Sequence, residues 1–386
     1  MIKKILWISL DTFIGFTAGN LSRILNFFIW EDSKSINMIL HYNFFWVLFS
    51  LLGAVLSGTI SSFFSPKFSY FLSRLLRALS AFIAFYNLEN VSDYIFVLAA
   101  LEGCANAFLI SSRAVLDLGL FNVSGLQAVS SFREVINTLV RLLRPIAVTW
   151  MISSLGYEQS FLATIAIILA VSPFIFPFKF VGIPKQEFNL LSQLISIGNN
   201  YLERRIAIIS FSTGVGYVFS LGLIDVLILE KLGSIEFWGA VSFLMALVGL
   251  IVISILKNVD ASEVHKVAAV LGVVSFGYAA LPLFLINEFS ITLLLGFLVA
   301  ESIFMNADRI LGRTAMISAE NKLLRSDTHR IASQSARDIY FSLGLLIPLA
   351  LMLMLPSQYL EAEYLLIILA LCTLFPFLNA GKYKGL

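Results

Sequence analysis

The chain has 386 residues, is 59% hydrophobic and 13% charged, contains 35 phenylalanines and carries a net charge of +2. No soluble domain can hide that much apolar surface, so the composition excludes a water-soluble globular enzyme or nucleic-acid-binding protein and implies a polytopic membrane protein. Cys104 and Cys372 both fall in apolar stretches and give no disulfide framework, and His41, His265 and His329 are too scattered for a metal cluster. No metal or cofactor is expected.

The opening "MIKKILWISL" has the charge of a signal peptide. Asp11 interrupts it, however, and the apolar run continues to Trp30, so it reads as a first span. Twelve spans are expected, at about residues 5–30, 37–64, 68–88, 92–116, 125–154, 159–182, 204–230, 234–256, 266–286, 289–316, 330–355 and 362–380. Pro173, Pro177 and Pro282 should kink their helices. Gly214, Gly216 and Gly222 should let span 7 bend or pack closely. Between spans 6 and 7, "FNLLSQLISIGNNYL" has apolar residues at helical spacing and reads as an interfacial helix. The expected organisation is a bundle over 1–182, a linker over 183–203 and a second bundle over 204–386.

Loop charges set the expected orientation. Loops after odd spans carry Glu31, Asp32, Glu89, Asp93, Glu158, Glu230, Glu236, Glu288, Glu361 and Glu363, against Lys34 and Lys231. The opposite face carries Lys3, Lys4, Lys67, Lys185, Arg204, Arg205, Lys257, Lys266, Lys322, Arg325, Arg330, Lys382 and Lys384. The basic face should be cytoplasmic, with both termini on it, in the cell (inner) membrane.

One stretch occurs twice. "LEGCANAFLISSRAVLDLGL" and "SSFREVINTLVRLLRPIAVTWM" return about two hundred residues later as "AESIFMNADRILGRTAMISA" and "ASQSARDIYFSLGLLIPLALML". Glu102 answers to Glu301, Asn106 to Asn306, Arg113 to Arg313, Arg133-Glu134 to Arg337-Asp338, and Pro145 to Pro348. Charges inside apolar helices are costly and mark a pathway or a pairing site. A duplicated pair of such helices points to a transporter built from two related halves.

At 100° per residue, Asn106 lies about 40° and Arg113 about 20° from Glu102, so the three share one stripe. Span 5 carries Arg133, Asn137 and Arg144 on one face, with Glu134 and Arg141 on the next. Glu102 and Arg144 are each about 15 Å from the acidic face on neighbouring antiparallel spans, and should form a buried ion pair. Asp11 and Arg23 lie about 18 Å apart along span 1, too far to pair with each other. The substrate-binding candidates are Arg23, Glu102, Asn106, Arg141, Arg144, Tyr217 and Asn306, with Trp46 as a further contact. Gating candidates are Arg113, Arg133, Glu134, Arg313, Arg337 and Asp338. Glu301 has no arginine at its depth on span 11, and burial without a paired cation favours the protonated form of a carboxyl. It is therefore the expected proton carrier, with Asp225, Asp308 and Asp11 as further acids.

Twelve spans, two similar halves and a central linker resemble the major facilitator superfamily. The loop "GTISSFFSPK" (Gly58 to Lys67) keeps only the first glycine and last lysine of that family's Gly-x-x-x-Asp-Arg-x-Gly-Arg-Lys signature. The pattern "SRAVLDLGL…SFREVINTLVRLLRP" is most similar to the family's drug and siderophore exporters, with Arg144 where their Gly-Pro pair has glycine. The resemblance implies an all-α, twelve-helix protein in two pseudo-symmetric bundles whose spans 1, 4, 7 and 10 line a central cavity. It implies a monomeric, proton-coupled transporter of a small polar, zwitterionic or anionic solute, embedded in membrane lipid, without ATP or nucleic acid. Efflux is the first expectation, with uptake of a nutrient or organic anion, or lipid flipping, as alternatives. A membrane enzyme would need a nucleophile–base pair or metal cluster; the sequence has no HExxH and no histidine inside a span near an acid.

Overall fold

The computed structural model describes residues 2–120, 123–178, 189–218, 221–256, 259–260, 262–287, 290–323, 330–356, 362–378 and 380–383. Most of these residues are helical, and there is no strand among them. In a bilayer interior every backbone amide must be satisfied internally, and helices do so within a single segment. Spans 1 to 4 are α1 (Ile2–Ser33), α2 (Ile36–Phe63), α3 (Pro66–Tyr86) and α4 (Ile95–Leu120). Ser35 and Ser65 cap α2 and α3, each accepting from the amide three residues on, and Pro66 fills a first-turn position where no amide is needed.

Spans 5 and 6 form one continuous stretch, α5 (Val123–Val171), that reverses at Gly156. Its φ of 73° and ψ of 175° are open only to glycine. Ser160 donates to the carbonyl of Met151 at 3.0 Å, a pair that a straight helix would hold well over 10 Å apart. Residues 179–182 of the expected sixth span and 183–188 of the expected linker lie outside the described residues. The remainder of the linker is α6 (Leu190–Asn199), whose Ile197 is buried with Ala207 and Ala336 at the basic-face ends of spans 7 and 11.

Span 7 is not the single helix expected. It consists of α7 (Tyr201–Tyr217) and α8 (Leu223–Leu232), and α8 starts at Gly222 with φ 86°. Span 8 is α9 (Ile235–Leu256). Span 9 breaks before Pro282 into α10 (Val264–Ala279) and α11 (Leu281–Asn287), as the proline predicts. Spans 10 to 12 are α12 (Ile291–Leu323), α13 (Arg330–Leu353) and α14 (Ala362–Leu378).

The sequence repeat recurs in the packing. Span 2 packs on 4 as 8 packs on 10, span 3 on 4 as 9 on 10, and span 1 on 5 as 7 on 11. Small residues bring the backbones together at equivalent seams. A β-carbon on Gly103 would run into the backbone of Trp46 and Ser50; one on Gly214 or Gly344 would strike the carbonyl of Phe341 or Phe211. The first six spans meet the last six through 2 against 11, 5 against 8 and 4 against 11. Eight described segments are long and apolar enough to cross a membrane, and large apolar side chains such as Trp150, Phe174, Phe276 and Phe284 face outward. The protein is a multi-pass membrane protein.

Candidate functional site: a charged central cavity

The polar residues of the spans converge on two adjoining cavities of about 370 and 160 Å³, which share Arg23, Arg141 and Arg144 as walls. Spans 1, 2, 3, 4, 5 and 7 line the larger; spans 1, 5, 7, 8 and 10 line the smaller. Of the substrate-binding candidates, Glu102, Asn106 and Tyr217 lie on the larger cavity and Asn306 on the smaller. Asn106 donates to Ser50 Oγ at 3.5 Å, and Asn306 packs on span 8 where Gly249 leaves room for its amide.

Span 1 supplies two ends of the charge network. Asp11 Oδ1 accepts from Arg113 Nε at 2.9 Å and from the Tyr70 hydroxyl at 3.0 Å. Arg113, expected at a gate, is therefore half of an ion pair on the cavity wall. Arg23 forms an ion pair with Asp225 in the first turn of α8, and Trp238 donates its indole N–H to the same carboxylate at 2.8 Å. Asp11 and Arg23 thus find separate partners, as their spacing requires.

The expected Glu102–Arg144 ion pair is not the one the structure forms. Glu102 pairs with Arg77 on span 3, Nε to Oε2 3.5 Å, with both side chains buried. Span 3 packs along span 4 at that depth and reaches Glu102 from the other side. Arg144 instead lies over Gly19, where its guanidinium occupies the space of a side chain, and its Nη2 reaches the Gly15 carbonyl at 3.5 Å. Glycine at position 19 leaves the room that this guanidinium fills.

Sequence reasoning does not single out Arg74 or Arg77, although both stand in the middle of an apolar span, three residues apart and so on one face. Nor does it find the partners of Glu301. That carboxyl is fully buried and lines the smaller cavity; it accepts from the Tyr278 hydroxyl of span 9 and from Thr373 Oγ1 of span 12 at 2.6 Å. Its repeat partner Glu102 thus meets an arginine on span 3, whereas Glu301 meets a tyrosine on the equivalent span 9.

Asp308 faces away from both cavities, toward Tyr383 Oη at 3.3 Å and the buried Lys382 Nζ at 3.9 Å. At the basic-face end of span 11, Arg337 donates to Gln334 Oε1 at 2.9 Å, and Gln334 donates to Asp338 Oδ1 at 2.9 Å. Arg313 is half-buried near the basic end of α12. The side chains of Arg133 and Glu134 lie outside the described residues.

Toward the acidic face the first six spans and the last six are joined. The Arg23–Asp225 pair is backed by Phe27 edge-on to Trp238 at 4.7 Å, and by Asn26 packed against Gly222. Beside them, Thr149 donates to the Ile235 carbonyl at 3.3 Å and Ser153 to Glu236 at 2.6 Å. In the other direction, Ser335 of span 11 donates to the Ala54 carbonyl of span 2 at 3.2 Å.

No protein-family model and no curated protein matches the sequence. Solved structures do. The E. coli fucose:proton symporter FucP, a major facilitator superfamily transporter seen in its outward conformation, superposes with a TM-score of 0.67 at 14% identity over the whole of both chains. The nucleoside transporter NupG gives 0.67 at 14% identity, covering 98% of this chain and 99% of its own. A D-xylose-proton symporter gives 0.67 at 12% identity, covering 100% and 98%. The fold is that of the major facilitator transporters. On the major facilitator fold the twelve spans, the repeat and the central cavity are parts of one architecture, and the cavity described above lies between the first six spans and the last six. Two of these neighbours are named as proton symporters and one as a nucleoside transporter, and none of the three is named as an exporter.

Proposed function

We propose that the protein is a secondary active transporter, not an enzyme, that moves a small polar solute by alternating access. Residues 1–182 and 204–386 rock about the cavity as two bundles, with 183–203 as their cytoplasmic tether. The observation that carries this reading is the charged cavity itself: a buried polar chamber between two repeated sets of spans, with an ion pair that joins the sets toward one face. Such a pair costs desolvation in both partners and persists where breaking and remaking it does work. It works as a monomer in the cell membrane with both termini in the cytoplasm, and Arg23, Glu102, Asn106, Arg141, Arg144, Tyr217 and Asn306 contact the solute.

Glu301 carries the coupling proton. Among the described residues its partners are two hydroxyls, whereas Asp11, Asp225 and Asp308 face cations. A carboxyl held by hydroxyls exchanges a proton without first breaking an ion pair. Arg113, Arg133, Glu134, Arg313, Arg337 and Asp338 act in opening and closing. The exporter-like span 5 supports efflux; that two neighbours are proton symporters supports uptake as the second reading. The test is flux in proteoliposomes. The wild type should concentrate its solute in response to ΔpH, and Glu301→Gln should lose that response while keeping exchange at zero gradient. Accumulation by Glu301→Gln under ΔpH refutes the assignment, and no flux of any solute refutes transport.

A further inference from the structure

Resting on that transport reading, we infer that the solute is a small organic anion carrying two negative charges, such as a dicarboxylate or a phosphate monoester, held by Arg144 and Arg309 across the Tyr217 hydroxyl. Six arginines (Arg23, Arg77, Arg113, Arg141, Arg144 and Arg309) and four carboxylates (Asp11, Glu102, Asp225 and Glu301) line the two cavities among the described residues. Arg144 and Arg309 leave an excess of two positive charges that no carboxylate among the described residues meets.

Three of the acids are already committed: Asp11 to Arg113, Glu102 to Arg77 and Asp225 to Arg23. The fourth, Glu301, is turned to Tyr278 and Thr373. Among the described residues neither Arg144 nor Arg309 has a carboxylate partner. Among the described residues the Arg144 Nε is buried without a hydrogen bond, and its Nη2 reaches the Gly15 carbonyl at 3.5 Å. Arg309 stands over the Tyr217 ring, 5.4 Å from its centre, and Arg23 and Arg309 both lie within electrostatic reach of Arg144.

Like charges gathered out of water are unfavourable unless something neutralises them. Guanidinium forks match the paired oxygens of carboxylates and phosphates. A neutral sugar leaves the excess uncompensated; a monoanion removes half of it; a dianion removes all. The Tyr217 hydroxyl, on the cavity wall and within electrostatic reach of Arg23, Arg141, Arg144 and Arg309, adds a donor among these cations.

The purified protein is heated in detergent with succinate, glycerol phosphate or inorganic phosphate, and with glycerol and xylose as neutral controls, at ionic strength matched with NaCl. A dianion should raise the melting temperature in a saturable way. Succinate against the two phosphates distinguishes the two anion chemistries. Arg144→Gln and Arg309→Gln should each weaken that binding roughly tenfold or more, and Arg309→Lys should keep part of it. If Arg144→Gln does not fold, the Arg309 pair decides. A shift produced by the neutral solutes but not the anions overturns the inference, as does an anion response unchanged in both Arg→Gln variants. Counterflow in proteoliposomes separates this from the transport reading. Anion binding without anion counterflow supports the site and refutes transport there; counterflow of neutral solutes alone supports transport and refutes the anion.

Discussion

Arg77 and Glu102 are the most deeply buried ion pair on the cavity wall, 5% and 1% exposed, with 3.5 Å between Nε and Oε2. Arg77→Met leaves the Glu102 carboxylate without its cation in a low-dielectric site. Breaking a buried pair on one side costs about 3–5 kcal/mol. Removing Arg77 also relieves its repulsion from Arg113, which puts the expected cost at the low end, about 3 kcal/mol. Glu102→Gln, which strands the guanidinium instead, should cost a similar amount. The double variant removes both charges while nearly preserving volume and should fall within about 1 kcal/mol of wild type. Four proteins unfolded by SDS titration in mixed micelles give the cycle. The expected coupling energy is at least about 2 kcal/mol. If the two single costs add in the double variant, Arg77 is not the partner of Glu102, and the assignment of charges along the cavity wall is wrong.

Asp225→Asn should loosen the junction at the acidic face. In a background lacking Cys104 and Cys372, a cysteine at Asn26 should then react faster with a membrane-impermeant maleimide than in the parent, and an unchanged rate would remove the gate role of the Arg23 pair. Gly214→Ala and Gly344→Ala should each cost about 1–3 kcal/mol in the same micelle titration, because the new methyl meets a backbone carbonyl of the facing helix. Gly277→Ala, whose β-carbon meets only open space, should be neutral or stabilising by up to about 1 kcal/mol, and equal losses at all three glycines would rule out close packing as the cause. Gly222→Ala should destabilise by about 1–2 kcal/mol through its left-handed backbone alone, before any contact with Asn26 is counted.

The fold was legible because membrane insertion writes it along the chain: apolar runs of fixed length, loop charges and a repeat of interior polar residues. Residues within a single span were also legible. The stripe of Glu102 and Asn106, and the impossibility of an Asp11–Arg23 pair, follow from helical geometry alone. Pairing between spans was not. Glu102 has an arginine within reach on span 3 and others on span 5, and which one meets it depends on the rotation of each helix about its own axis. Apolar lipid-facing sequence barely constrains that rotation. The break in span 7 escaped for a related reason: glycines at 214, 216 and 222 all permit a bend, and only the packing on spans 1, 11 and 12 decides that Gly222 turns while Gly214 and Gly216 stay helical.

The reversal at Gly156 bears on how this chain enters the bilayer. Span 5 carries Arg141 and Arg144 deep in its length, and each arginine near the middle of an inserting helix disfavours its partition by about 2.5–3.5 kcal/mol. Pro145 adds to the difficulty by leaving the Arg141 carbonyl without its amide donor. Alone, span 5 is a poor candidate for the membrane. It is joined by a single glycine to an apolar span with no charged residue from Phe161 to Val171, too tight a connection for one to be threaded while the other waits outside. The two are expected to enter as a helical hairpin, the apolar helix of the pair carrying its charged neighbour across. Lengthening that turn with a flexible insert would uncouple them, and would show as span 5 left behind at the surface during synthesis rather than as a defect in the finished protein.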